Sequence, residues 1–171
     1  MDVELNQLTF QKMSYESARE ISCWTYPSPY DIYSMDGSEE LVQELVEGNY
    51  YVAYDSNQQL IGYFCYGHDA RVPGGYKIGL YEDQSFVDVG LGLKPNLTGA
   101  GLGKSFLEKV LSYLHTLDYT SFRLVVLTTN KRAIIVYLKA GFVPKMVFSS
   151  PVNGKNMEFL FMESDKENLG L

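Results

Sequence analysis

The chain has 171 residues, 46% hydrophobic and 20% charged, which fits one globular domain over 1–171 with a single core and excludes a disordered or fibrous class. Its formal net charge of −7 argues against a nucleic-acid surface, which needs a basic footprint, and is compatible with a cationic or amine ligand. Two cysteines, Cys23 and Cys65, are too few for a disulfide scaffold and read as reduced, buried thiols, while two isolated histidines give no metal-ligand spacing, so no metal is expected.

In chain order, Leu5–Phe10 predicts a first strand. Ser14 can cap a short helix through about Ser22, with Ser17 and Glu20 spaced as a second capping pair. Trp24-Thr25-Tyr26-Pro27-Ser28-Pro29-Tyr30 then interrupts helix geometry twice with proline. Ser38-Glu39-Glu40 opens a second helix that closes at Gly48. Tyr50–Tyr54 and Leu60–Tyr66 predict two strands joined by the turn Asp55-Ser56-Asn57-Gln58. Residues 67–84 read as irregular, with a turn at Pro73-Gly74-Gly75.

Phe86–Leu93 predicts the next strand, followed by a glycine-rich turn and a helix from about Lys104 to Thr116. Phe106, Leu107, Val110, Leu111 and Leu114 fall on one face of that helix. Phe122–Leu127 predicts a strand, Lys131–Ala140 a helix ending at Gly141, and Phe142–Phe148 with Met157–Met162 a closing strand pair around Asn153-Gly154. This order is α/β (α+β) with a mixed, mostly antiparallel sheet flanked by helices, not a regular doubly wound alternation. The N-terminus carries Asp2 and Glu4 and no basic-then-apolar run, which predicts neither a signal peptide nor a membrane span, and so a cytoplasmic protein.

The most informative stretch runs from Val87 to Lys104. A strand feeds a turn with glycines at 99, 101 and 103, and a helix follows. Glycines there leave backbone N–H groups free to face an anion, and the helix start adds partial positive charge. The P-loop spacing fails, because Thr98 stands where its first glycine should be. The dinucleotide spacing fails too, because the glycines alternate. A tight turn that binds nothing is the plain alternative, although three alternating glycines cost more chain entropy than such a turn requires.

The region resembles the acetyl-CoA-dependent N-acetyltransferase superfamily, GNAT, whose hallmark is a strand, a proline, then Arg/Gln-x-x-Gly-x-Gly/Ala leading into a helix. Pro95 matches the proline, Gly101 and Gly103 match the glycine pair, and Thr98 stands at the Arg/Gln position, a departure from the pattern. Downstream, Asn130 to Phe142 is similar to the family's Asn…Ala…Tyr…Gly-Phe element, with Asn130 and Tyr137 at the family spacing. The two elements cover about a third of the chain, in the expected order.

This resemblance implies a splayed strand pair that opens an acyl-CoA cleft. It implies a pantetheine arm bonded to the backbone near Leu91 and Leu93, and a pyrophosphate on the N–H groups of Thr98, Gly99, Ala100, Gly101, Leu102, Gly103 and Lys104. The Leu91 N–H would be the oxyanion donor. Tyr137 would protonate the leaving thiolate, and Asn130 would bond the pantetheine or cap the helix. Asp88, an acid in an apolar strand, is the expected general base; a solvent-facing position in an alternating strand is the alternative. Trp24, Tyr26 and Tyr30, with Asp88, form the expected acceptor wall.

The expected function is transfer of an acetyl group from acetyl-CoA to a small amine, an amino acid or a peptide N-terminus, by a monomer or homodimer. A non-catalytic acyl-CoA sensor on the same fold is the alternative. No nucleic-acid or membrane partner is expected.

Overall fold

The computed structural model describes residues 5–164. Seven strands form one sheet: β1 (Thr9–Lys12), β2 (Tyr50–Tyr54), β3 (Leu60–Tyr66), β4 (Val87–Leu93), β5 (Phe122–Leu127), β6 (Phe142–Val152) and β7 (Lys155–Ser164), in the order β1-β2-β3-β4-β5-β7-β6. Five helices flank it: α1 (Tyr15–Ser22), α2 (Glu39–Glu47), α3 (Pro73–Lys77), α4 (Gly103–Thr116) and α5 (Lys131–Lys139). Every strand pair is antiparallel except β4 with β5. The mixed, mostly antiparallel sheet is as expected.

Local chemistry explains most boundaries. Ser14 and Ser17 form a reciprocal capping box at the start of α1, so Ser17 is the partner of this cap and does not open a second one. The Ser38 hydroxyl accepts from the Leu41 N–H to start α2. β1 begins later than expected, because Leu5–Gln7 is a single 3-10 turn with Leu5 packed into the core. β6 and β7 run longer than their apolar segments. Their antiparallel register continues through polar pairs to the Asn153-Gly154 turn, where both residues take positive φ.

The segment expected to be irregular contains α3. Gly74 is required there, since a Cβ would collide with the Ser149 carbonyl, and its N–H donates to Ser150 Oγ at 2.8 Å.

Buried residues gather in three clusters, not the single core expected. The largest joins the apolar face of α4 to Phe64, Val87, Val89, Phe122, Leu124 and Val126 on one face of the sheet. On the other face α1 and α2 cover Val52 and Leu60, with Met13 and Trp24 beside them. Leu80, Tyr81, Leu127, Phe148 and Phe159 form a third. Cys65 is buried, whereas Cys23 is exposed, contrary to the expectation for that thiol.

The junction of β4 and β5 positions everything that follows. The pair is in register only at Val87↔Phe122 and Asp88↔Arg123, and then the strands part. At that point the Asp88 carboxylate takes 2.7 Å and 3.1 Å hydrogen bonds from Arg123 Nε and Nη2, and a 2.9 Å bond from Arg71 Nε. Arg123 Nη1 also donates to the carbonyls of Leu80 and Asp83, which ties the loop before β4 to the same point. Asp88 and Arg123 are 2% and 1% exposed, so each charge depends on the other for its solvation.

Removing one partner strands a buried charge, which costs about 3–5 kcal/mol. Asp88→Asn should therefore lower unfolding free energy by about that amount in urea denaturation, because it leaves the Arg123 guanidinium buried without a carboxylate. Adding Arg123→Met to it should restore part of the loss, because the uncompensated guanidinium is then gone.

Candidate active site

Beyond Asp88 the two strands enclose a V. The Lys94 N–H donates to the Ile61 carbonyl on β3, and the Val87 N–H donates to the Ser121 carbonyl just before β5, both at 2.9 Å. Backbone polar groups alternate sides along a strand, so past the last paired position Leu91 and Leu93 turn theirs toward β5, where no strand receives them. An extended, amide-bearing ligand could bond there as a strand would.

The gap opens into a cavity of about 470 Å³. Leu91, Leu93, Thr98, Gly99, Gly101, Gly103, Asn130, Tyr137, Tyr26 and Tyr30, all expected site residues, line it together. Ala100, Leu102 and Lys104 are not in its lining. Lys104 turns to solvent and pairs with Glu108 at 3.3 Å. Trp24 is buried behind the wall, its ring 6.0 Å from that of Tyr63, so it backs the cavity without lining it.

Asp88 does not stand where the expected base would have to be. It lies at the closed root of the V, on the sheet face away from Val87 and Val89, and does not line the cavity. Two guanidinium groups occupy its oxygens. With both oxygens so occupied and 2% of its surface exposed, Asp88 ties the two strands together and is not presented to the cleft. Among the described residues the cavity lining contains no carboxylate at all; its one charged side chain is Arg132.

The glycine turn has the geometry of an anion cradle. Gly99 and Gly101 take φ of 74° and 77°, in the left-handed region that exposes successive N–H groups on one side. The N-cap of α4 is Leu102, whose side chain accepts no hydrogen bond, so the first N–H groups of this 14-residue helix have no side-chain partner. A phosphate would satisfy them and meet the positive end of the helix.

Across the cleft, α5 brings Asn130 and Tyr137. Asn130 caps this helix through the Ala133 N–H at 3.2 Å, and its Nδ2 donates to the Tyr33 hydroxyl at 3.0 Å. The Tyr137 ring is half-buried, and desolvation first, with the neighbouring Tyr33 second, raises its phenol above the ordinary value.

The segment from Thr25 to Ser34 forms a strap over the wide end of the V. On the β4 side the Tyr26 hydroxyl donates to the Leu93 carbonyl at 2.7 Å, and burial pushes its pKa up to about 12. On the α5 side Tyr33 meets Asn130, and the Arg132 guanidinium lies 4.2 Å from the Tyr30 ring centroid.

Sequence reasoning missed Tyr63 and Arg132. Tyr63 lies opposite Gly92 in the β3–β4 register, and a Cβ at Gly92 would lie 2.6–2.9 Å from its ring and hydroxyl. The Gly92 position therefore admits the Tyr63 ring against the strand. Only the cross-strand register carries this signal.

The model of the acetyltransferase (GNAT) family matches residues 15–142, three-quarters of the chain. The chain belongs to the GNAT acetyltransferase family. It is accordingly an acyltransferase, of a family that uses acetyl-CoA as co-substrate. Solved GNAT structures share the fold. A GNAT acetyltransferase from Bacillus anthracis has a TM-score of 0.71 at 13% identity, over 98% of this chain and 99% of that one. The spermidine/spermine N-acetyltransferase SpeG from Vibrio cholerae has a TM-score of 0.64 at 21% identity, over 93% and 92%. No curated protein sequence matches the chain significantly. In this GNAT chain no described helix is long and apolar enough to cross a membrane, and no described His, Cys, Asp and Glu group could hold a metal.

Gly101 and Gly154 provide a matched pair. Both have φ near 78° (77° and 79°), and neither has an atom within 4 Å of an added Cβ. Alanine in a left-handed position costs roughly 1–2 kcal/mol at either site. Gly101→Ala should weaken acetyl-CoA binding by about tenfold in calorimetric titration, as the turn relaxes away from its cradle geometry. Gly154→Ala, with the same strain in the β6–β7 turn, should bind as the wild type does.

Proposed function

We propose that the protein transfers the acetyl group of acetyl-CoA directly to a primary amine: a small amine, an amino acid or a peptide N-terminus. The observation that carries this reading is the two-residue pairing of β4 with β5. It leaves the backbone of Leu91 facing an open gap beside an uncapped helix start. The pantetheine arm would lie along β4 on the groups of Leu91 and Leu93. The pyrophosphate would rest on the N–H groups of residues 98–104, with Arg132 close by.

In the transfer, the nitrogen lone pair of a neutral amine attacks the thioester carbonyl and a C–N bond forms. The developing oxyanion accepts from the Leu91 N–H, a fixed dipole that needs no reorganisation. The C–S bond then breaks, and the thiolate takes the phenolic proton of Tyr137. The proton lost by nitrogen restores the phenol, so the products are the amide and free CoA thiol. No enzyme carboxylate takes part, which fits the locking of Asp88 by two arginines.

Tyr137→Phe keeps the ring packing and removes the acid. It should lower kcat by about 10²-fold, with little change in acetyl-CoA affinity, in a thiol-release assay. A raised phenol pKa also fixes the sign of the pH dependence. The neutral, proton-donating form persists above the ordinary tyrosine range, so wild-type activity should show no alkaline fall through about pH 10, where an ordinary tyrosine is half ionised. A falling limb at lower pH would count against Tyr137 as the donor. Acetyl-CoA should raise the melting temperature, and a saturating concentration without effect would end the proposal.

A further inference from the structure

From the walls of the cavity beside Gly92 we infer that the acceptor is a monoamine carried on an apolar, aromatic-sized body, and not a polyamine. This rests on the transferase reading and names its missing substrate class. The acceptor side is built from Tyr26, Ile32 and Tyr33 of the strap, Tyr63 of β3, and Val152 and Phe159 of the β6–β7 hairpin. These side chains are apolar apart from phenol hydroxyls.

The chain as a whole is acidic, yet among the described residues no carboxylate lines the chamber. Asp88 is consumed by Arg71 and Arg123. Asp31 projects from the strap as an exposed residue, and Glu82 and Asp83 are exposed in the loop before β4. Glu158 accepts from the Thr128 hydroxyl. The one charged group of the lining is Arg132, and its sign opposes an ammonium.

Two consequences follow for a ligand. A second ammonium in the chamber would have no carboxylate to replace its water, which makes its burial unfavourable. An apolar body gains by displacing water from the walls that penalise charge. The direction of the tyrosine pKa shifts agrees. Desolvation raises Tyr26, Tyr33 and Tyr63, and surroundings that resist a phenolate resist an ammonium too. The same surroundings favour the free base of the bound amine, which is the form that attacks.

The strap sets the size. It is bonded to β4 through Tyr26 and to α5 through Tyr33, so it crosses the wide end of the V and roofs the chamber. A compact molecule fits below it, with its amine directed at the Leu91–Gly92 backbone and its body against Tyr63 and Phe159.

The test is thiol release from acetyl-CoA by the wild-type protein, with 2-phenylethylamine, hexylamine, putrescine and spermidine compared at one pH. The expected result is a kcat/KM for 2-phenylethylamine at least about tenfold above that for either polyamine, with hexylamine between. Spermidine or putrescine equal to or better than 2-phenylethylamine would overturn the inference while leaving amine acetylation intact. Release with none of the four, alongside an acetyl-CoA-induced rise in melting temperature, would overturn it and separate binding from transfer. Absence of that rise as well would remove the underlying reading. Ile32→Glu offers a second measurement, because it adds a carboxylate to the strap at a half-buried position on the rim of the third cluster. It should shift the ratio toward spermidine by about tenfold, and an unchanged ratio in a folded variant would also overturn the inference.

Discussion

The cleft exists because β4 and β5 are joined at two residue pairs and at no others. A parallel pair that short is a weak junction by backbone hydrogen bonding alone. The Asp88 carboxylate between Arg123 and Arg71 reinforces it at the last paired position, where the strands separate. Arg123 extends the constraint to the carbonyls of Leu80 and Asp83, so the loop entering β4 is fixed at the same point. A closed root and open arms let the backbone of Leu91 face a gap without the sheet coming apart.

The rest of the site inherits its geometry from that junction. β4 leads through Pro95 into the left-handed glycines and the uncapped start of α4, which places N–H donors at one end of the gap. β5 leads to Asn130, whose side chain both caps α5 and holds the strap through Tyr33. Tyr137 follows two turns later on the cleft wall. The wide end of the V would be a defect in a sheet with nothing over it. Here it is spanned by tyrosines whose rings cover apolar surface while their hydroxyls reach backbone or amide partners.

Local patterns made much of this legible. β2, β3 and β5 have the bounds that alternation and flanking turns predict, and the capping serines mark α1 and α2. The glycine turn and the Asn130–Tyr137 spacing point to one cavity, and most of the residues they indicate do line it. Non-local pairing was out of reach. Asp88 stood out as an acid in an apolar strand, but Arg123 stands out equally as a base in another, and the partnership of the two explains both. Tyr63 became a site residue only through its position opposite Gly92, which depends on register. α3 escaped notice because its two buried glycines serve close approach to β6 and Tyr81 and carry no apolar periodicity.

No residue of the strap from Thr25 to Ser34 belongs to the buried interior; each is exposed or half-buried, and the segment is held by polar contacts at its two sides. The acyl-donor side, by contrast, is continuous with the main core through β4 and α4. The two halves of the reaction therefore answer to different pressures. On the proposed reading, changes in the strap would alter the acceptor side of the cavity while the buried sheet and α4 stay in place. On that reading the acceptor range of such a chain would be free to drift in evolution without cost to the buried core, and the strap would be the segment to exchange in engineering it.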